Sequence, residues 1–212
     1  GGIYDLSGVF CFVFIRQALQ LHANSNLREH KLPSLRTFAE KYINVLPDIV
    51  RQDGLGWCYG EDCGVYGQMY CISIILQGMR DGWIKEQQRP IFNQILYKLF
   101  QFFFMTYLDQ EHGFLVIRDN ERTTTDALSS RTANFDGARF FCQWSRLARS
   151  IGEKISPYPI SLKTGGKFVR FDKTNSKEQG LFIYQDTNSG LHIYIPLIGS
   201  SQKNTSDSLA FP

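Results

Sequence analysis

Gly64-Val65-Tyr66-Gly67-Gln68-Met69-Tyr70-Cys71-Ile72-Ser73-Ile74-Ile75-Leu76-Gln77-Gly78-Met79 is apolar almost all round when wound at helical spacing. Such a segment suits an inner helix, covered by neighbours on every side. Its opening, Gly64-Val65-Tyr66, has two counterparts. Gly8-Val9-Phe10 lies 56 residues before it and Gly137-Ala138-Arg139 lies 73 residues after it, each heading an apolar stretch of helical length. Those intervals fit two helices of about 20 residues plus their loops. Chains that repeat helix, loop, helix bury their apolar faces by stacking hairpins into a solenoid or closing them into a ring.

Outward from this stretch, the pattern predicts five helices. The first covers about Ser7–Ala23 behind Asp5-Leu6-Ser7, where Asp and Ser are good caps. A polar turn is expected over Asn24–Lys31, and Pro33 is expected to open a second, amphipathic helix through Phe38, Tyr42, Val45, Leu46 and Ile49. The inner helix at about Gly64–Met79 is the third, and a Leu/Phe-striped helix at about Pro90–Asp109 is the fourth. A short strand at Phe114–Arg118 and a polar loop at Asp119–Arg131 lead to a fifth helix at about Phe135–Ile151. Inner helices one, three and five would alternate with outer helices two and four.

After Ser156-Pro157-Tyr158-Pro159 the period changes to two. Lys167–Asp172, Gly180–Gln185 and Leu191–Leu197 alternate apolar and polar residues between turn residues, the mark of antiparallel strands. The expected architecture is α+β: helical hairpins over 1–155, then the start of a β-sandwich over 156–212. Few strands, the helix set almost on Gly1-Gly2 and the ending Leu209-Ala210-Phe211-Pro212 lead us to expect a piece of a larger protein.

Composition narrows the function classes. A net charge of +3 mildly favours an anionic ligand, and no basic run suggests nucleic acid. The apolar run Val9–Ile15 is too short to span a bilayer. Cys11, Cys58, Cys63, Cys71 and Cys142 are odd in number and lack CxxC spacing, so they read as buried small side chains rather than a disulfide framework or a zinc site. Seventeen Phe and ten Tyr exceed what a core of this size needs, which points to aromatic side chains in a binding groove.

The candidate chemistry clusters before the inner helices. Tyr66 stands at the start of a buried helix beside Trp57 and Tyr59, as a core tyrosine or as an acid/base phenol tuned by arginines. Arg118, Arg122 and Arg131 flank a Thr/Ser-rich stretch; a guanidinium fork fits a carboxylate or sulfate, and a solvated charged loop is the plain alternative. Asn134 can bond a ligand or the helix end. Glu61 and Asp62 suit the N-terminal charge of the third helix better than a facing catalytic pair, with Asp136 a distant carboxylate partner. Of the scattered His22, His30, His112 and His192, only His112 falls near this face.

Taken in order, these segments resemble the α/α toroid of polysaccharide lyase family 8, the hyaluronate, chondroitin AC and xanthan lyases. Asp5-Leu6-Ser7 is similar to the segment after the family's catalytic asparagine. Asp53-Gly54 and Gly64-Val65-Tyr66-Gly67 resemble the stretch that carries its histidine and then its tyrosine. Gly113-Phe114-Leu115 and Ser129-Ser130-Arg131-Thr132-Ala133-Asn134 resemble its arginine-rich segment. The resemblance runs from about Gly1 to Gly152. It implies β-elimination on a uronic acid polymer without a cofactor, in a secreted or periplasmic setting. It assigns proton transfer to Tyr66 and charge stabilisation to Arg131 and Arg122. Beside that resemblance, Trp57, Tyr59, Asn134, Arg118, Glu61 and Asp62 are expected to bind the sugar.

The chain departs from that pattern at two places. Gly2 or Ile3 stands where the family has asparagine, and Trp57 where it has histidine. A glycoside hydrolase using Glu61, Asp62 or Asp136, and a glycan-binding protein without catalysis, are the alternatives those departures leave open.

Overall fold

The computed structural model describes residues 25–56, 64–111, 113–116, 124–152, 155–157, 164–169 and 181–196, with side chains throughout except at 25–35, 38, 124–132 and 196. Within them lie four α-helices and a small antiparallel sheet: α1 (Ser25–Ile49), α2 (Gly64–Arg80), α3 (Arg89–Thr106), α4 (Thr124–Ile151), β1 (Gly165–Val169), β2 (Leu181–Gln185) and β3 (His192–Pro196). The fold class is mixed helix and sheet. The first expected helix, about 7–23, lies outside the described residues.

Helix α2 is central and packs against each of the other three helices. Ile72, Ile74, Ile75 and Leu76 are buried on successive faces, as the all-round apolar reading requires. The partners bury one stripe each. Helix α1 turns Ala39, Tyr42, Ile43, Leu46 and Ile49 inward, and α3 turns Phe92, Ile95, Leu96, Leu99 and Phe103 inward. These are the i, i+3, i+4, i+7 positions of amphipathic helices. Gly78 lets α1 and α2 meet closely, since a Cβ there would lie 2.8 Å from Ile43 Cδ1.

Three local expectations are corrected. Residues 25–31 are helical rather than a turn, and Pro33 lies inside α1 instead of opening it. Proline removes one helical hydrogen bond, but the buried stripe from Ala39 to Ile49 anchors the helix C-terminal to it. Helix α4 begins at Thr124, so most of the expected polar loop continues the helix headed by the buried face of Ala133, Phe140, Trp144 and Leu147. Tertiary packing of that face outweighs the weak helix propensity of Thr and Ser. Helix α3 ends at Thr106, and the described part of the expected strand at 114–118 is a single bridge, Leu108 to Leu115. Gly113, at φ 71°, makes the intervening turn.

The sheet runs β1-β2-β3, each neighbour antiparallel. Strands fall where the period-two reading puts them, within a few residues at each end. Val169, Leu181 and Ile183 join the buried core, whereas Phe168, Ile193 and Ile195 are exposed. The sheet meets the helices at the last turn of α1. There Lys167 pairs with Asp48 at 2.5 Å, and the Tyr194 hydroxyl donates to the Ile49 carbonyl.

Candidate active site

Helix α2 sets the geometry through Gln68, which is fully buried and uses both ends of its carboxamide. Its Oε1 accepts from the Gly56 N–H at 2.6 Å, while Nε2 donates to the Gly54 carbonyl at 2.6 Å and the Leu99 carbonyl at 2.9 Å. The Gly54-Leu55-Gly56 loop is thereby clipped to α2 and α3. Two glycines are needed for so close an approach. Gly54 has φ 96°, and a Cβ there would lie 2.1 Å from the Lys98 carbonyl oxygen. A Cβ on Gly56 would lie 2.9 Å from Gln68 Oε1.

Tyr66 stands two residues before Gln68, half-buried in the first turn of α2. Its hydroxyl donates to Asp136 Oδ2 at 3.0 Å. Asp136 is carried by α4, whose residues Ala133, Gly137, Phe140 and Trp144 pack inward. The other carboxylate oxygen, Oδ1, lies 3.6 Å from Nη1 of Arg139, one turn further on. The Tyr66 ring contacts Tyr70 at 6.1 Å between centroids, and Tyr70 contacts Phe140 at 5.9 Å. A polar line of phenol, carboxylate and guanidinium therefore rests against an aromatic wall. The phenol and the carboxylate are in direct hydrogen-bond contact, and the carboxylate's other oxygen faces the Arg139 guanidinium.

Asn134 is tied to the neighbouring loop. Its Oδ1 accepts from the Leu115 N–H and its Nδ2 donates to the Leu115 carbonyl, both at 2.6 Å. This bracket fixes the turn after α3 against α4. Gly137 completes it, because a Cβ there would lie 2.5 Å from Leu115 Cδ1. Asn134 lies inside α4 rather than at its end, so its carboxamide bonds the neighbouring loop and not the helix terminus expected from the sequence.

The remaining predicted residues are placed as follows. Arg131 belongs to α4, but its side chain lies outside the described residues. Trp57, Tyr59, Glu61, Asp62, His112, Arg118 and Arg122 also lie outside them. Tyr66 and Asp136 are brought together from 70 positions apart. Arg139 was missed by sequence reasoning, although it stands one helical turn after Asp136, where an ion pair forms naturally. Cys71 is buried as expected, whereas Cys142 is exposed.

A second polar region lies where the Gly-rich loop faces the β2–β3 turn. Arg51, Gln52, Asp53 and Gly190 line an open cavity of about 320 Å³. Arg51 Nη2 pairs with Asp53 Oδ2 at 2.7 Å, and Asp53 Oδ1 accepts from the Leu55 N–H at 3.1 Å. Lys98 of α3 is held below its usual range by burial, which the Asp53 carboxylate partly opposes. Among the described residues no cluster of His, Cys, Asp and Glu could hold a metal ion. Comparison of the chain with protein-family profiles, with curated proteins and with solved structures returns no match.

Proposed function

We propose that the chain acts as a polysaccharide lyase that cleaves an acidic, uronate-containing glycan by β-elimination. In this reading α1–α4 are hairpins of an α/α toroid, and the sheet begins a β-sandwich. The observation that carries it is the Tyr66–Asp136 hydrogen bond at the head of the central helix. Elimination removes the C5 proton of a uronate and returns a proton to the departing C4 oxygen, while the electron pair forms the C4–C5 double bond. A phenol bonded to a carboxylate suits both halves. Tyr66 takes the C5 proton as its own passes to Asp136, then gives a proton to the leaving oxygen while Asp136 returns its proton to the phenolate, so that the C5 proton is replaced on the departing oxygen and both residues are restored. The substrate carboxylate needs a cationic partner, a role that the resemblance gives to Arg131 and Arg122.

A glycoside hydrolase is the second reading, favoured by the partly buried Asp136 carboxylate fixed between Tyr66 and Arg139. Product chemistry separates the two. Incubation with a panel of uronate polymers should give ultraviolet absorbance from an unsaturated uronate, reduced at least about a hundredfold by Tyr66→Phe. Reducing ends without that absorbance, lost in Asp136→Asn, would establish hydrolysis instead.

A further inference from the structure

His192 opens β3 and sits opposite Gln185 in the β2–β3 ladder. Both of its ring nitrogens are shielded from solvent and lack a hydrogen-bond partner among the described residues. The ring packs against Tyr194 with centroids 4.5 Å apart. Tyr194 in turn donates its hydroxyl to the Ile49 carbonyl at the end of α1. Ring nitrogens withdrawn from water without a partner carry a solvation cost even when the ring is neutral, and a larger one when it is charged.

We infer that His192 is an acid-released latch between the sheet and the helices, its neutral ring closing the seam and its protonation opening it. The inference does not depend on the lyase reading.

The surroundings favour the neutral ring. Burial holds the imidazole below its usual range, and the Arg51 guanidinium acts in the same direction. The Asp48 backbone carbonyl, which approaches the ring without reaching hydrogen-bond geometry, and the Asp53 carboxylate act against them and are outweighed. The other charged groups at this junction are already engaged. Lys167 of β1 pairs with the Asp48 carboxylate, Arg51 pairs with Asp53, and Lys98 of α3 lies within electrostatic reach of Asp53. Gln185 of β2 is uncharged, and its Nε2 is likewise buried without a partner.

The sign follows from linkage. The folded ring binds its proton less readily than the unfolded one. Above the ordinary histidine value both states are neutral, and the latch contributes fully. As pH falls through that value the unfolded or opened state takes up the proton first, so stability is lost until the folded value is also passed. The effect is local because the ring lies against Tyr194, whose hydroxyl holds the end of α1. Opening there frees the end of α1 while leaving α2 packed.

The test uses the full chain, with imidazole titration by NMR and amide hydrogen exchange corrected for its intrinsic pH dependence. The resonance that disappears in His192→Gln should titrate below the ordinary histidine value. From neutral to mildly acidic pH, amides of β3 and of residues 48–51 should lose protection several-fold relative to α2. That acid-dependent loss should be absent in His192→Gln. Titration at or above the ordinary value overturns the inference, as does acid-insensitive protection of β3 or an equal loss in the variant. If the variant fails to fold, the wild-type resonance is assigned through its contact with Tyr194, and its titration together with the exchange of β3 still decides.

Discussion

Gln68 holds three backbone groups that have no other described side-chain partner: the Gly56 N–H and the carbonyls of Gly54 and Leu99. Replacing it leaves buried polar groups unsatisfied at about 1–3 kcal/mol each. Gln68→Leu should therefore destabilise the fold by at least about 2 kcal/mol, read as a lower urea midpoint. Gly54→Ala should cost a similar amount, because alanine meets both a positive φ and the Lys98 carbonyl; about 1–2 kcal/mol comes from the backbone alone. Tyr66→Phe removes one partly buried hydrogen bond to a carboxylate and should cost only about 1–3 kcal/mol, so the variant stays folded for activity assays. The sequence marks Tyr66 as a candidate because of its place at the head of an apolar helix. It does not reveal the bond to Asp136, since no local pattern connects positions 70 residues apart. The same limit hides Gln68, whose chemistry depends on a loop folding back onto it.

Helix α2 was legible because its apolar residues cover the whole circumference, a pattern few surface segments can carry. Its four large aliphatics Ile72, Ile74, Ile75 and Leu76 are all buried. Ile75→Ala should cost about 2–5 kcal/mol. Phe135→Ala, at an α4 position 71% exposed, should stay within about 0.5 kcal/mol. Paired denaturation curves of these two variants check which helical faces are internal. The starts of α1 and α4 were not legible. Proline, Thr and Ser mark boundaries by local preference, whereas a long helix with one strongly buried stripe carries such residues within it. An aromatic lattice adds to that stripe in α4. Trp144 meets Phe100, Phe103, Phe140 and Phe141 with centroids 5.4–5.9 Å apart, and its Nε1 donates to Ser73 of α2 at 2.8 Å. Trp144→Phe keeps most of the packing but removes the N–H that Ser73 Oγ accepts, while the Ser73 hydroxyl still donates to the Met69 carbonyl; it should lower stability by about 1 kcal/mol in the same measurement.

At the scale of the whole molecule, a helical layer built round α2 meets a three-stranded sheet at the end of α1. Period-two alternation made the strands legible, yet it says nothing of which face is covered. Covering is decided by Val169, Leu181 and Ile183 reaching the helical core. The seam turns His192 from a scattered histidine in the sequence into a half-buried one whose ring nitrogens are shielded, and it predicts lower stability below the ordinary histidine value. The central claim concerns reaction chemistry, with Tyr66 and Asp136 as the proton-transfer pair. Its most direct test is digestion of a uronate polymer in heavy-oxygen water, quenched promptly and read by mass spectrometry. Elimination cleaves the bond between C4 and the glycosidic oxygen and consumes no water. The account predicts an unlabelled new reducing end paired with an unsaturated uronate, both lost in Tyr66→Phe. Heavy oxygen in the new reducing end, or no cleavage of any uronate polymer, would contradict it.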